Sequence, residues 1–357
     1  MSKVWFAAVE ENDKDDNIAK KVIELYKNAK KEKKIVSNND FVALKIHFGE
    51  RHNTGYIKPD YVQKLIDNLK EDQGKPFLTD TNTLYKGQRA NSIDHMMQAY
   101  DHGFTPDKVG IPVIIADGLL SKNFTRVDID GKHFDSVNIA NDILHSDVFI
   151  GLSHVTGHLA ACMGASIKNI GMGCSSRSGK QQQHADVSPT VSAEECTRCG
   201  QCVRWCPVDA IELVDDSARI DSETCYGCAE CITTCKFGAI SVSWGGTSKA
   251  LQEKMAEYAL GAVKDKQKRL FFNFLIHITK ECDCMAKAQE RVIDDIGILV
   301  SSDPVAVDQA SIDLLNDRAN SDLLKDLWSD SDLDYRLQLD HAQEIGLGSM
   351  DYDLIEI

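Results

Sequence analysis

A chain of 357 residues, 43% of them hydrophobic and 27% charged, has the make-up of a globular protein with room for one large core or two ordinary ones. Its net charge of −15 argues against nucleic acid or an anionic membrane surface as a main partner. No apolar run approaches the roughly 20 residues that cross a bilayer. The first residues are too short and too poorly flanked for a signal peptide, so a cytoplasmic location is expected, where thiols stay reduced.

Strand-like and helix-like segments alternate from the start. Residues 3–9 read as a strand, 17–34 as an amphipathic helix with Ile18, Val22, Ile23 and Tyr26 on one face, and 41–48 as a second strand. Pro59 suits a first helical position, and Val62, Leu65, Ile66 and Leu69 follow at helical spacing. Residues 76–79, 112–116 and 147–152 read as buried strands, with helical stretches at 91–99 and 136–144 between them. A hairpin is expected over 124–134, turning at Asp130-Gly131. Such alternation predicts an α/β fold, a mostly parallel sheet with helices on both faces.

The pattern then breaks for two cysteine runs, Cys196, Cys199, Cys202, Cys206 and Cys225, Cys228, Cys231, Cys235, each spaced C-x2-C-x2-C-x3-C. In such a run three thiolates three residues apart wrap one 4Fe–4S cluster and the fourth reaches over to the other. Cys196, Cys199, Cys202 and Cys235 are therefore assigned to one cluster, and Cys225, Cys228, Cys231 and Cys206 to its partner. Zinc ribbons would want paired knuckles without the third cysteine in register, and disulfides an oxidising compartment. The stretch 188–243 resembles the two-cluster bacterial ferredoxin domain, although Lys236 stands where the second run often has proline.

Beyond it the alternation resumes, with a helix at 246–266, strands at 270–276 and 297–301, and Asp303-Pro304 capping a helix through Leu315. The expected organisation is an α/β domain in two parts, 1–187 and 244–357, interrupted by an α+β ferredoxin-like insertion at 188–243. Residues 315–357 hold eleven Asp and Glu against Arg318, Lys325 and Arg336, which reads as a solvated helical surface.

Open α/β sheets bind ligands beyond the carboxyl ends of their strands. Lys45, His47, Asp80, Asn82, His154, His158, Cys282, Cys284 and Asp303 all fall at such ends, which suggests one shared site. On a helix His154 and His158 would share a face, a spacing equally suited to packed core. Cys282 and Cys284, two apart in an extended segment, would point the same way and could chelate a metal or present thiolates. Gly173 to Gly179 is one residue too long for a phosphate-binding loop, and Gln181 follows Lys180 where a hydroxyl is needed.

Several stretches together resemble the domain of unknown function 362 in its ferredoxin-fused form. They are Lys45-Ile-His-Phe-Gly49, Asp80-Thr-Asn82, Gly157 to Gly173 with Lys168-Asn169, Gly179-Lys180, Glu281-Cys-Asp-Cys284 and Ser302-Asp-Pro-Val-Ala306. The resemblance implies no reaction. The expected function is an anaerobic oxidoreductase in which an external electron donor or acceptor protein exchanges electrons, through two 4Fe–4S clusters, with a small-molecule substrate or an unknown cofactor at the strand ends. There His154, His158, Cys282 and Cys284 would supply protons or bind an additional metal, while Lys45, Lys168 and the Asp303 helix terminus would hold an anionic group. The alternative is a carrier or maturation protein that hands on a metal or cluster held by Cys282, Cys284 and the histidines.

Overall fold

The computed structural model describes residues 1–85, 87–184, 189–206, 208–225, 227, 230–241, 247–329 and 333–357. Pro207, Cys228 and the expected unit boundaries at 187–188 and 243–244 lie outside them.

In chain order, β1 (Ser2–Ala8), α1 (Asp15–Glu32), β2 (Phe41–Ile46), α2 (Pro59–Glu71), β3 (Lys75–Asp80), α3 (Ser92–Asp101), the single turn α4 (Pro106–Val109) and β4 (Val113–Ile115) alternate as the sequence predicts. The next segment departs from it. β5 (Phe124–Asp128) pairs antiparallel with β6 (Ser136–Ala140), and only the short α5 (Asn141–Leu144) is helical, where a helix over 136–144 was expected. Val137 and Ile139 are β-branched and sit opposite Val127 and Thr125, a pairing that favours extended chain.

After β7 (Val148–His154) the expected helix through His154 and His158 is instead a tight antiparallel pair, β8 (Thr156–His158) and β9 (Cys162–Gly164). Long-range bonds decide this: the Val155 amide donates to the Phe274 carbonyl at 3.0 Å and the Gly157 amide to the Thr279 carbonyl at 2.9 Å. A side chain at Gly157 would run into the Lys280 carbonyl, so only glycine lets the two segments touch. Helices α6 (Ser166–Gly171) and α7 (Arg177–His184) follow.

The chain then leaves the sheet for a small α+β unit. It consists of β10 (Thr190–Val191), α8 (Gln201–Trp205), β11 (Ile211–Leu213), β12 (Ala218–Ile220), α9 (Glu230–Thr234) and β13 (Ile240–Ser241). Two short ladders, β10 with β13 and β11 with β12, close over its own apolar cluster. The chain returns through α10 (Ser248–Val263), β14 (Lys268–Leu275), β15 (Gly297–Ser301), α11 (Pro304–Ala319), α12 (Leu323–Asp326), α13 (Arg336–Glu344) and β16 (Tyr352–Glu356).

The central sheet has eight strands in the order β16-β1-β15-β14-β7-β2-β3-β4. It is mainly parallel, with β15 alone antiparallel to both neighbours. Alternate residues feed two cores. Val148, Ile150, Leu270 and Phe272 pack with α1 and α2, whereas Phe149 and Phe271 pack with α6, α10 and α11 on the other face. No helix among the described residues is long and apolar enough to cross a membrane.

Candidate functional site

The parallel strands β2, β3, β7 and β14 end side by side, and their following loops, with α6 and α7, enclose a cavity of about 520 Å³. Lys45 and His47 come from the end of β2, His154 from the end of β7, His158 from β8, Lys168 from α6, and Cys282 and Cys284 from the loop after β14. Residues spread over 240 positions of sequence thus meet because the sheet brings their strand ends together. Arg89, Lys180 and Leu84 also line the cavity.

Charge in the wall is strongly positive, and its cations are held from behind. Lys45, fully buried, pairs with Asp80 at 3.0 Å and donates to Asn169 Oδ1 at 2.7 Å. Arg89 donates to Glu50 at 3.1 Å and to the Tyr85 hydroxyl at 2.6 Å, and stands 3.6 Å from Asp80. Burial alone would raise the Asp80 pKa, but Lys45, His95 and Arg89 outweigh it and hold the carboxyl below the usual range. The Lys168 amine makes no hydrogen bond or close ion pair among the described residues; burial, reinforced by Arg89 and Lys45 and opposed by Asp283 and Asp80, brings it down to about 8. Lys180 is likewise brought down to about 8 by burial and donates to the Thr81 hydroxyl and the Ser175 carbonyl.

Three of the wall's histidines, His47, His154 and His158, differ in what they can offer. His154 is locked as a cation: Nδ1 donates to Asp283 at 2.9 Å and Nε2 to the Ile276 carbonyl at 2.9 Å. Burial opposes that charge, and Asp283 overcomes it, so the pKa is raised. In His158, Nδ1 accepts the amides of Ala160 and Ala161 at 3.2 and 3.0 Å. In His47, Nδ1 accepts the Gly49 amide at 3.1 Å. Burial, with Lys168 beside His158 and Arg89 beside His47, holds both well below the ordinary histidine value. Each is therefore neutral with its proton on Nε2, and presents a donor rather than a lone pair.

Cys282 and Cys284 are joined as a disulfide, and their sulfurs lie with a His158 ring nitrogen within 4.8 Å of one another. The loop that carries them is fixed by Glu50, whose amide donates to the Asp283 carbonyl at 2.9 Å, and by the Tyr85 hydroxyl on the Cys284 carbonyl at 3.3 Å.

Three sequence candidates lie elsewhere. Asp80 is buried beneath the wall as the counter-ion of Lys45 and Arg89. Asn82 is spent on Asp117, to which its amide and side chain donate at 3.0 and 2.9 Å. Asp303 follows β15, the strand that runs against the rest, and so emerges at the opposite end of the strands from the cavity. It caps α11 through the Val305 and Ala306 amides at 2.9 and 3.1 Å and ties both chain ends through Ser2 Oγ at 2.8 Å and the Ser349 amide at 2.9 Å. The sequence reading missed Arg89 and Lys180. Lys180 had a signal in the Gly179-Lys180 pair; Arg89 had none.

In the small unit, Cys196, Cys199, Cys202 and Cys235 line one narrow cavity beneath Leu213, Ala218 and Ile240. Backbone amides donate to two sulfurs, Ala210 to Cys206 at 3.2 Å and Ala218 to Cys196 at 3.4 Å. Leu84 joins the two regions: it lines the strand-end cavity and also packs in the apolar cluster containing Cys202 and Cys231.

The fold and cavity define a mixed α/β protein with a mainly parallel sheet and a candidate ligand site at its strand ends. The chain belongs to the family Domain of unknown function (DUF362), whose pattern matches residues 42–313. No curated protein matches it. Among solved structures it is similar to a Thermotoga maritima protein from a structural-genomics consortium, at 6% identity and a TM-score of 0.43, covering 88% of this chain and 59% of that one. It is also similar to the lactate racemase apoprotein of Thermoanaerobacterium thermosaccharolyticum, at 10% identity and a TM-score of 0.38, covering 76% of this chain and 50% of that one. The chain spans between half and three-fifths of the length of these two proteins.

Proposed function

We propose that this protein is an iron–sulfur oxidoreductase in which two 4Fe–4S clusters in the small unit serve an acceptor in the strand-end cavity. The observation that carries the reading is Leu84, one side chain that is both cavity wall and part of the cluster cysteines' apolar core. What supports the reading is that the four thiols of the first set line one space in the pairing expected from the motif, and that amide-to-sulfur bonds of the kind that tune such centres are present. Cys196, Cys199, Cys202 and Cys235 would hold one cluster, and Cys206, Cys225, Cys231 and Cys228 the other. When bound, the clusters carry single electrons.

The remaining chemistry belongs to the chain. Reduction of the Cys282–Cys284 disulfide takes two electrons and two protons and yields two thiols, so the pair can convert one-electron supply into a two-electron step. His158 has a ring nitrogen beside both sulfurs and carries its proton on Nε2, and a donor there would stabilise a thiolate. The His154–Asp283 ion pair anchors the loop between the two cysteines and neutralises the one carboxylate beside them. Leu251 and Met255 from α10 and Leu84 from the loop after β3 make part of the wall apolar.

The test is anaerobic. Purified protein should contain about eight iron and eight sulfide per chain. Reduction of the clusters with dithionite, after removal of excess reductant, should expose two further alkylatable thiols in the wild type and none in the Cys282→Ser/Cys284→Ser double variant. Full clusters with no gain of thiols would refute the cavity as acceptor.

The carrier reading has one observation in its favour, the His158, Cys282 and Cys284 group. It predicts an additional zinc or iron that disappears in the double variant and passes to an apo-acceptor. The geometry at His158 weighs against it, because Nδ1 already accepts two amides and the proton sits on Nε2, the nitrogen left for a metal.

A further inference from the structure

A chain of net charge −15 builds a cavity whose wall is cationic. Lys45, Arg89, Lys168 and Lys180 line it, and the one carboxylate among the lining residues, Asp283, is taken by His154. Lys45 and Arg89 have close counter-ions behind the wall, whereas Lys168 makes no close ion pair among the described residues and feels Asp283 only at longer range. His47 and His158 add Nε2 donors, since their Nδ1 atoms are occupied by backbone amides. One side of the cavity therefore offers donors and positive charge with no matching acceptor. The other side is apolar: Ala160, Ala161, Met172, Leu251 and Met255 form a small hydrophobic cluster of their own against the same space. Met172 stands one helical turn after Lys168, so charge and apolar surface adjoin along one face.

We infer that the cavity binds an organic anion, a carboxylate or phosphate at Lys168, His47 and His158 whose apolar body lies along Met172, Leu251 and Met255. Its volume of about 520 Å³ lies within the range of small-molecule sites and far exceeds an inorganic ion. Lys168 is the discriminating contact, because among the described residues it alone of the wall lysines makes no side-chain hydrogen bond or close ion pair. A neutral or cationic molecule of the same shape would leave these donors unpaired and is rejected. The inference builds on the cavity being the acceptor site and names the class of molecule that enters it.

The experiment is isothermal titration of the full anaerobic protein with octanoate and octyl phosphate, beside acetate, inorganic phosphate, octanol and octylammonium. At least one eight-carbon anion should bind, and which one distinguishes carboxylate from phosphate. Acetate and inorganic phosphate should bind at least about tenfold more weakly, octanol and octylammonium likewise, and Lys168→Gln should weaken the anion by about tenfold or more. Lys168 is partly exposed and unpaired, so that variant keeps its fold, which its melting temperature verifies. Failure of both eight-carbon anions to bind, equal binding of octanol or octylammonium, equal binding of the short anions, or no effect of Lys168→Gln would each overturn the inference. Calorimetry needs no electron supply. Lost anion binding with normal thiol reduction would refute this inference alone, and the reverse pattern would refute electron transfer alone.

Discussion

Replacing Lys168 with methionine should stabilise the protein at neutral pH. The amine, near 10.5 in an unfolded chain, lies at about 8 in the fold because burial, with Arg89 and Lys45 nearby, disfavours its charge. Each pH unit of that difference corresponds to about 1.4 kcal/mol, so the gap sets an upper bound near 3.4 kcal/mol. Lys168 is only partly buried, and solvent screening reduces the figure to about 1–2 kcal/mol. The sign follows from proton binding. The unfolded chain holds this proton up to pH 10.5 and the folded one only to about 8, so the penalty is complete below pH 8 and fades between pH 8 and 10.5. Lys168→Met should therefore raise the melting temperature by about 1–3 °C at pH 7 and by little at pH 10.5. Matched calorimetric scans of both proteins at the two pH values measure it. A variant less stable at pH 7, or a gain equal at both, would show that the amine is satisfied in the fold and would remove the strain ascribed to the empty cation.

Asp80→Asn should cost about 3–5 kcal/mol in denaturant unfolding, because Lys45 and Arg89 would be left buried with one counter-charge fewer, whereas Asp80→Glu should recover part of the loss. Gly171→Ala, whose new methyl would meet the Met255 carbonyl, should destabilise by about 1–3 kcal/mol by prising α6 from α10, and should weaken octanoate binding because both helices wall the cavity. Asp303→Ala should lower stability by about 1–3 kcal/mol through loss of the α11 cap and the ties to Ser2 and Ser349, and leave anion binding unchanged, since it sits at the opposite end of the strands.

Much of the α/β pattern was legible because apolar period and punctuation agree over long segments. Pro59 starts α2 and Asp303-Pro304 starts α11 where local chemistry demands, and both were readable without tertiary information. Strand direction was not. The run Gly297–Ser301 is apolar whichever way it points, and only its pairing with β1 and β14 makes it antiparallel, which moves Asp303 away from the cavity. The segment 154–164 was misread for a related reason. Its glycines, alanines and spaced histidines suit a helix as well as a hairpin, and bonds to Phe274 and Thr279, more than a hundred residues away, choose between them. C-terminal β16 has an acidic neighbourhood that masked its strand pattern, and its parallel pairing with β1 extends the sheet.

The site was legible in its strand-end residues and not in its counter-charges. Lys45, His47, His154 and the Cys282-Asp283-Cys284 loop follow from one rule about where parallel sheets bind ligands. Arg89 reaches Glu50 across 39 positions and Lys180 reaches Thr81 across 99, and nothing local to either announces a cavity. These hidden cations change the chemical sense of the cysteine pair. A divalent metal at Cys282 and Cys284 would enter a wall already holding Lys45, Arg89 and Lys168, and would have to displace the proton of His158. Thiolates released by reduction would instead meet opposite charge and a donor. On that electrostatic ground the residues proposed to hold an organic anion would also favour the reduced form of the pair, so anion binding and disulfide reduction should compete for one set of cations and be coupled through it.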